Sequence, residues 1–178
     1  EKSMTSNLKV DNIQNLAGNE FNFISMADQW RLTSNTNQGT NADVTSNWER
    51  VDNSGWGGIG TGLTESSGIF SFASTGIHLI IFSSEMFMSA TDDSASLQLE
   101  ITTDNSSYEI VSRSANAGRV SGGGSTNQGS TGFFLFDVTN TTTHKFKFST
   151  ASMGTNTRLQ GDTSISKTGF TSIRLGGT

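Results

Sequence analysis

The chain has 178 residues, and Ser, Thr, Asn and Gly supply 86 of them, whereas only 15% are charged. This composition excludes a coiled coil, which is rich in Ala, Leu, Glu and Lys, and twelve Phe and three Trp are too many for a chain that never packs. With a net charge of −5 and scattered basic residues, nucleic acid is excluded as a partner. No apolar run approaches the roughly 18 residues of a membrane span. The class that remains is an all-β domain with polar faces and many turns.

Residues 1–30 differ in pattern from the rest of the chain. Two short strands are predicted there, at Leu8–Asn15 and Phe21–Ile24, with a turn between them. Two strands of this length form a hairpin that cannot be stable alone. We therefore predict an N-terminal β arm or adaptor over residues 1–30, which packs on the main domain or on a neighbouring chain. Its attachment residues are predicted to be Val10, Ile13, Phe21 and Phe23.

Residues 31–178 repeat a pattern of strand, turn and strand. Leu97, Leu99 and Ile101 alternate with polar residues, which predicts a strand buried on one face. Residues 34–41, 53–58 and 116–132 are predicted to be polar loops, and the last is long and rich in Gly and Ser. The number and spacing of the strands are typical of a β-sandwich or jelly roll. The predicted strands are Gln29–Thr33, Trp48–Val51, Gly68–Phe72, Ile77–Phe87, Leu97–Ile101, Tyr108–Arg113, Phe133–Val138, Thr143–Ser149 and Phe170–Leu175, with a short one near Arg158.

Two of these strands, Ile77–Phe82 and Phe133–Val138, carry large apolar side chains on both faces. A sandwich strand buries one face and exposes the other, so a second apolar face requires another subunit as its partner. In the second strand, Asp137 shares a face with Phe133 and Leu135, and that face is therefore not the sandwich interior. Phe133 and Leu135 are predicted to lie at the subunit interface, with His78, Ile80 and Phe82 nearby.

Several segments resemble known proteins. Gly68–His78 resembles the core motif of the C1q/TNF-like jelly roll, and Gly132–Val138 and Gly169–Leu175 lie where that family has its last strands. A second set of segments is similar to tail-fibre proteins of marine bacteriophages: Leu8–Asn15, Trp30–Thr33, Glu49–Asp52, Ile59–Gly68 and Thr102–Tyr108. The resemblance implies a jelly-roll sandwich of about ten strands that forms a homotrimer on an extracellular virion.

Residues that could carry chemistry are few. The glycine-rich segment Gly55–Gly62 lacks the Gly-Lys-Ser/Thr that a phosphate loop needs. His78 and His144 lie on separate strands, and no Gly-x-Ser-x-Gly elbow accompanies them. Asp92–Asp93 and Asp104–Asn105 offer oxygen ligands for calcium, but turn formation by Asp and Asn explains both pairs. Without Cys the chain has no disulfide, and we expect no catalytic residue, metal or cofactor.

We therefore expect a non-enzymatic bacteriophage virion structural protein, a trimeric tail-fibre-like module for attachment to the host surface. Its expected partners are other virion proteins and, as a candidate receptor, a host-surface glycan. The candidate receptor-facing residues are Trp56, Asn127 and Gln128, and Trp56 either stacks on sugar rings or folds back onto the sandwich. Two alternatives stay open. One is a capsid decoration (cement) protein that stabilises the head, which the short chain favours, and the other is a secreted lectin-like binding module.

Overall fold

The structure is a computed structural model that describes residues 24–89, 92–118 and 124–178, where every regular element is a β-strand. In those ranges no helix is long and apolar enough to cross a membrane. The strands are β1 (Met26–Leu32), β2 (Trp48–Arg50), β3 (Thr64–Ser66), β4 (Ile69–Ser71), β5 (Gly76–Met88), β6 (Ser94–Thr102), β7 (Glu109–Ala117), β8 (Thr126–Val138), β9 (Lys145–Ala151), β10 (Arg158–Leu159) and β11 (Gly169–Gly176).

The strands form two antiparallel sheets that pack face to face. The six-stranded sheet has the order β8-β5-β11-β1-β2, and the short β10 pairs with β5 beyond the end of β11. The five-stranded sheet has the order β3-β4-β9-β6-β7. Strands adjacent in a sheet are mostly distant in sequence, as expected of a jelly roll rather than a meander. The predicted all-β jelly-roll sandwich is confirmed.

Aromatic rings fill the space between the two sheets. Phe70 is fully buried, stacks on Phe146 with ring centroids 5.1 Å apart and meets the edge of Phe170 at 4.7 Å. Trp30 and Trp48 approach the same ring edge-on, each at 5.4 Å. Offset and edge-on pairs of this kind add about 0.5–1.5 kcal/mol each beyond the area that they bury. This aromatic cluster explains how a chain with only 32% hydrophobic residues holds two sheets together.

The prediction of a long loop over residues 116–132 is wrong for most of that range. Strand β7 continues to Ala117, and β8 begins at Thr126 and pairs with β5 along the full length of both strands. The inward-facing serines of this polar half are hydrogen-bonded inside the sandwich: Ser114 bonds both Ser84 and Ser130, each at 2.6 Å. A polar interior that is hydrogen-bonded in this way forms a strand without an apolar alternation that the sequence could reveal. Strand β3 (Thr64–Ser66) was not predicted either, because this edge strand contains no apolar residue and its Thr64 and Ser66 are exposed.

Strand β1 overlaps the end of the predicted N-terminal arm. Strand β1 begins at Met26, and both Met26 and Trp30 belong to the buried core. Residues 26–30 are therefore part of the six-stranded sheet, and the boundary at residues 30 and 31 cuts a core strand. The arm attachment residues lie outside the described residues and stay a prediction: Val10, Ile13, Phe21 and Phe23.

Candidate functional site: an apolar face on the six-stranded sheet

Three neighbouring strands of the six-stranded sheet, β8, β5 and β11, expose apolar side chains on the face that points away from the core. Phe133 is 70% exposed and Leu135 is 54% exposed on β8, and Ile81 beside them on β5 is 39% exposed. Soluble monomers rarely expose a contiguous apolar patch of this kind without a function for it. We call this set the apolar face, and its members are Ile77, Leu79, Ile81, Phe133, Leu135 and Ile173.

The register of the strands makes the apolar face continuous. Leu135 pairs with Leu79, and Leu79 pairs with Ile173 on its other side. In the next row Phe133 pairs with Ile81. Paired residues on one face of a sheet have Cβ atoms about 4.5–5.5 Å apart, so the side chains of each row are in contact.

The prediction that His78, Ile80 and Phe82 lie beside Phe133 and Leu135 is wrong. These three side chains are at most 1% exposed and point into the sandwich. The pairing of β5 with β8 places them beside the inward-facing residues Phe136, Phe134 and Gly132. The prediction failed because every residue of Ile77–Phe82 except His78 is apolar, so its composition does not say which alternate set points inward. The apolar face takes Ile77, Leu79 and Ile81 from β5 instead.

The assignment of faces within β8 agrees with the prediction. Phe136 and Val138 are buried, and Phe134 packs against the core, whereas Phe133 and Leu135 are exposed. Asp137 supplied the decisive signal, because an exposed carboxylate marks its face as the outer one. Whether Phe133 and Leu135 contact another subunit stays a prediction.

Polar residues border the apolar face at both ends of the strands. At one end Asp137 pairs with Ile77, and at the other Thr131 pairs with Ser83 and Gly129 with Glu85. An apolar centre with a polar border is the usual anatomy of a protein–protein interface. The face therefore has the composition of a protein–protein contact surface.

The segment between β2 and β3 covers the part of the outer face that belongs to β1. Arg31 is only 1% exposed, and its guanidinium pairs with Glu49 on β2 and with Asp52 in this segment, each at 2.6 Å. Ala27 and Ile59 exchange two backbone hydrogen bonds of 3.1 and 3.0 Å. On the outer face of the six-stranded sheet, the strands that carry the apolar face are therefore β8, β5 and β11.

The buried carboxylate of Asp28, on the inner side of β1, connects β1 to β2 and to the segment that leads to β3. It accepts hydrogen bonds from the indole Nε1 of Trp30 at 2.9 Å, from the backbone N of Leu63 at 2.8 Å and from Nε of Arg50 at 2.8 Å. A carboxylate that is 3% exposed requires such partners, because an unpaired buried charge is strongly destabilising. Sequence reasoning missed this role, since no local pattern distinguishes Asp28 from an exposed acid.

The candidate receptor-facing residues do not form one loop. Trp56 is half-buried and lines a cavity of about 270 Å³ with Gln29 and Thr171, so it folds back onto the sheet. Asn127 and Gln128 lie in strand β8, where they pair with Phe87 and Met86, and their assignment to a loop is therefore wrong. Asn127 also accepts a hydrogen bond from Gln160 at 2.6 Å.

The titratable groups give no sign of a catalytic arrangement among the described residues. His78 is buried and donates from Nε2 to the carbonyl of Ser74 at 3.1 Å, and burial lowers its pKa. His144 lies between the hydroxyls of Thr139 and Thr143. Asp104 forms a turn by accepting from the backbone of Ser106 and Ser107, and these bonds hold its pKa well below the usual value.

No group of three or more His, Asp or Glu side chains within the described ranges could hold a metal ion. Asp92, one of the proposed calcium ligands, instead accepts a hydrogen bond from Thr157. At Asp104 the local bonds from Thr102, Ser106 and Ser107 favour the turn interpretation, whereas the carboxylate of Asp92 is engaged by the distant Thr157.

Comparison with known proteins identifies the fold. No protein-family model and no curated protein sequence matches the chain. Among solved structures, the Eiger TNF of S. frugiperda has a TM-score of 0.58 at 13% identity, over 86% of this chain and 94% of that one. Murine APRIL at pH 8.5 has a TM-score of 0.55 at 14% identity, over 84% of this chain and 98% of that one.

At these identities the similarity concerns the fold. The two antiparallel sheets and their strand order agree with what the sequence motifs of Gly68–His78 and Gly132–Val138 implied. The chain is therefore an all-β protein with the TNF/C1q-like jelly-roll fold.

Proposed function

We propose that this chain is a non-enzymatic homotrimeric module of a bacteriophage virion, a tail-fibre-like protein that attaches to the host surface. The observation that carries the trimer is the apolar face, and above all the 70% exposure of Phe133 in the middle of strand β8. Burying a side chain of this size contributes roughly 1.5–3 kcal/mol. No loop or strand of the described residues lies over Phe133 and Leu135, so a second copy of the chain is the partner that we propose.

The apolar face also suits a closed trimer. It lies at one side of the sheet, on the edge strand β8 and its neighbours, and it is not centred on the sheet. Identical subunits that contact one another through different parts of such a surface form a closed ring when the rotation allows it. Three copies close the ring in the assembly implied by the C1q/TNF-like resemblance.

The virion role is supported by where the phage-like segments lie. Trp30–Thr33 begins inside β1, Glu49–Asp52 covers the end of β2 and the start of the following segment, and Thr102–Tyr108 runs from the end of β6 through the turn to β7. The similarity to tail-fibre proteins thus extends over both sheets of the jelly roll. Residues 1–30 contain the predicted attachment arm for other virion proteins, and the outer surfaces of the trimer remain available for a host glycan.

The proposal is tested in two steps. Native mass measurement of the full chain at micromolar concentration should give a trimer, and a stable monomer would contradict the assembly. Quantitative mass spectrometry of purified phage particles should then give a copy number in the range of the tail fibres. A copy number comparable with that of the major capsid protein would favour the decoration alternative, and absence from particles would refute the virion role.

A further inference from the structure

A cavity of about 480 Å³ lies at the end of the sandwich where β1 and β5 begin and β11 ends. Its volume is in the range of small-molecule binding sites. Four segments that are far apart in sequence converge on it: Ser25–Met26, Gly60–Thr61, Ala73–Ser74 and Arg174. Met26 is buried, and the hydroxyl-bearing Ser25, Thr61 and Ser74 are exposed to solvent.

The guanidinium of Arg174 is held in a fixed position at this cavity. Its Nε donates to the carbonyl of Thr75 at 2.7 Å, and Nη1 donates to the hydroxyl of Ser25 at 2.9 Å. A Cβ atom on Gly76, whose φ is +134°, would lie 2.7 Å from Nε of Arg174. Glycine at position 76 thus permits both the backbone conformation and the close passage of the arginine side chain.

Arg174 has no carboxylate partner among residues 24–89, 92–118 and 124–178. The ion pairs in those ranges use Arg31, Arg50 and Lys147. The Nη2 group of Arg174 makes no hydrogen bond to a described residue. A planar guanidinium with free N–H groups is well suited to bind a carboxylate, because charge-assisted hydrogen bonds of this geometry are strong.

A second polar group beside Arg174 is also unsatisfied. Arg174 pairs across the sheet with His78, which is fully buried, and the Nδ1 atom of His78 has no hydrogen-bond partner in the described structure. Most buried polar atoms have a partner, so an unsatisfied atom requires an explanation. Burial lowers the pKa of His78 more than the hydrogen bond to Ser74 raises it, and the charge of Arg174 also lowers it. The positive charge at this end of the sandwich is therefore that of Arg174, which has no carboxylate partner among the described residues.

We propose that this cavity binds a hydroxylated carboxylate of the acidic-sugar class, with its carboxylate on Arg174 and its hydroxyl groups on Ser25, Thr61 and Ser74. The three side-chain hydroxyls can both donate and accept hydrogen bonds, as sugar hydroxyls do. The inference rests on the proposed host-attachment function and specifies the receptor chemistry. It places the receptor site at the end of the sandwich and not on Trp56 or β8.

The test uses ligand-observed NMR on the full chain with methyl glucuronoside as the probe and methyl glucoside as its neutral match. We expect the glucuronoside to bind and the glucoside to bind at least tenfold more weakly. Arg174→Gln should weaken glucuronoside binding by about tenfold or more, because one charge-assisted contact has roughly that value. Arg174→Lys should restore part of the affinity, since it keeps the charge.

Arg158→Gln is the matched control. Arg158 lies on β10 near the other end of β5, where its guanidinium is 4.0 Å from the ring centroid of Phe87, so its replacement should leave binding unchanged. Equal binding of the two sugars, or equal losses in the Arg174 and Arg158 variants, would overturn the inference. Acetate that competes as tightly as the glucuronoside would also overturn it, because the hydroxyl contacts would then contribute nothing.

Native mass measurement on the same sample separates this inference from the proposed function. A trimer that binds no glucuronoside contradicts the acidic-sugar site alone. A monomer that binds the glucuronoside through Arg174 contradicts the trimer and leaves the site in place.

Discussion

The replacement Phe133→Asp perturbs the apolar face most selectively. Because the side chain is 70% exposed, its loss removes little packing from the subunit itself. In the assembly, the buried Phe would contribute roughly 1.5–3 kcal/mol per subunit, or about 4–9 kcal/mol over three subunits. A carboxylate placed in a dry contact adds a desolvation penalty of several kcal/mol. Trimer formation should therefore weaken by at least about a thousandfold.

Size-exclusion chromatography with light scattering measures the assembly, and far-UV circular dichroism measures the fold. We expect the wild-type chain to be a trimer, and the Phe133→Asp variant to be a monomer or an aggregate with its β signal retained. Ile165→Asp is the matched control, because Ile165 is 62% exposed but lies in the loop between β10 and β11. That variant should remain a trimer.

Phe134→Asp tests the other face of the same strand. Phe134 packs against the core, so a charge there is buried inside the subunit and should prevent folding. If Phe133→Asp remains a well-formed trimer, the apolar face is not the subunit interface. If Phe134→Asp folds and Phe133→Asp does not, the two faces of β8 are assigned in reverse.

Four further predictions concern stability. Gly132→Ala should lower the free energy of unfolding, measured by urea titration, by about 1–3 kcal/mol, because the new Cβ would lie 2.4 Å from the buried ring of Phe82. In the control Gly129→Ala the nearest atom is 3.8 Å from the new Cβ, so the loss should be smaller. Asp28→Ala should lower the free energy of unfolding by about 2–5 kcal/mol, because it leaves the indole of Trp30 and the backbone N of Leu63 unpaired. Asp43→Ala breaks an exposed pair with Lys147 and should lower it by less than about 1 kcal/mol. Equal losses would contradict the stabilising role of the buried Asp28 carboxylate. Because burial lowers the pKa of His78 below its usual 6.5, the unfolded chain takes up a proton that the folded chain resists; stability should therefore fall as the pH drops below about 6.5, and a His78→Gln variant with the same pH slope would contradict this assignment. Chelator should leave the melting temperature unchanged, and a decrease would indicate a bound metal ion.

The all-β class and most of the strands follow from local patterns in the sequence. Leu97, Leu99 and Ile101 lie buried in β6 as their alternation predicts, although Gln98 and Thr102 on the other face are buried too. Asp137 in an otherwise apolar run identified the outer face of β8. Such signals can be read in the sequence because a strand alternates its side chains with a period of two, whatever its neighbours are.

The tertiary structure decided the features that depend on pairing between distant segments. The strand Ile77–Phe82 is apolar on both faces, so only its register against β8 shows that Ile77, Leu79 and Ile81 form the outer set. The polar half of β8 pairs with β5, and its Ser130 is hydrogen-bonded inside the sandwich by Ser114 of β7. The cavity beside Arg174 forms only because the ends of β1, β5 and β11 meet there. The alternation of side chains along one strand is visible in the local sequence. The register between strands, and the meeting of distant segments at one cavity, depend on contacts between residues dozens of positions apart, and those contacts leave no local pattern.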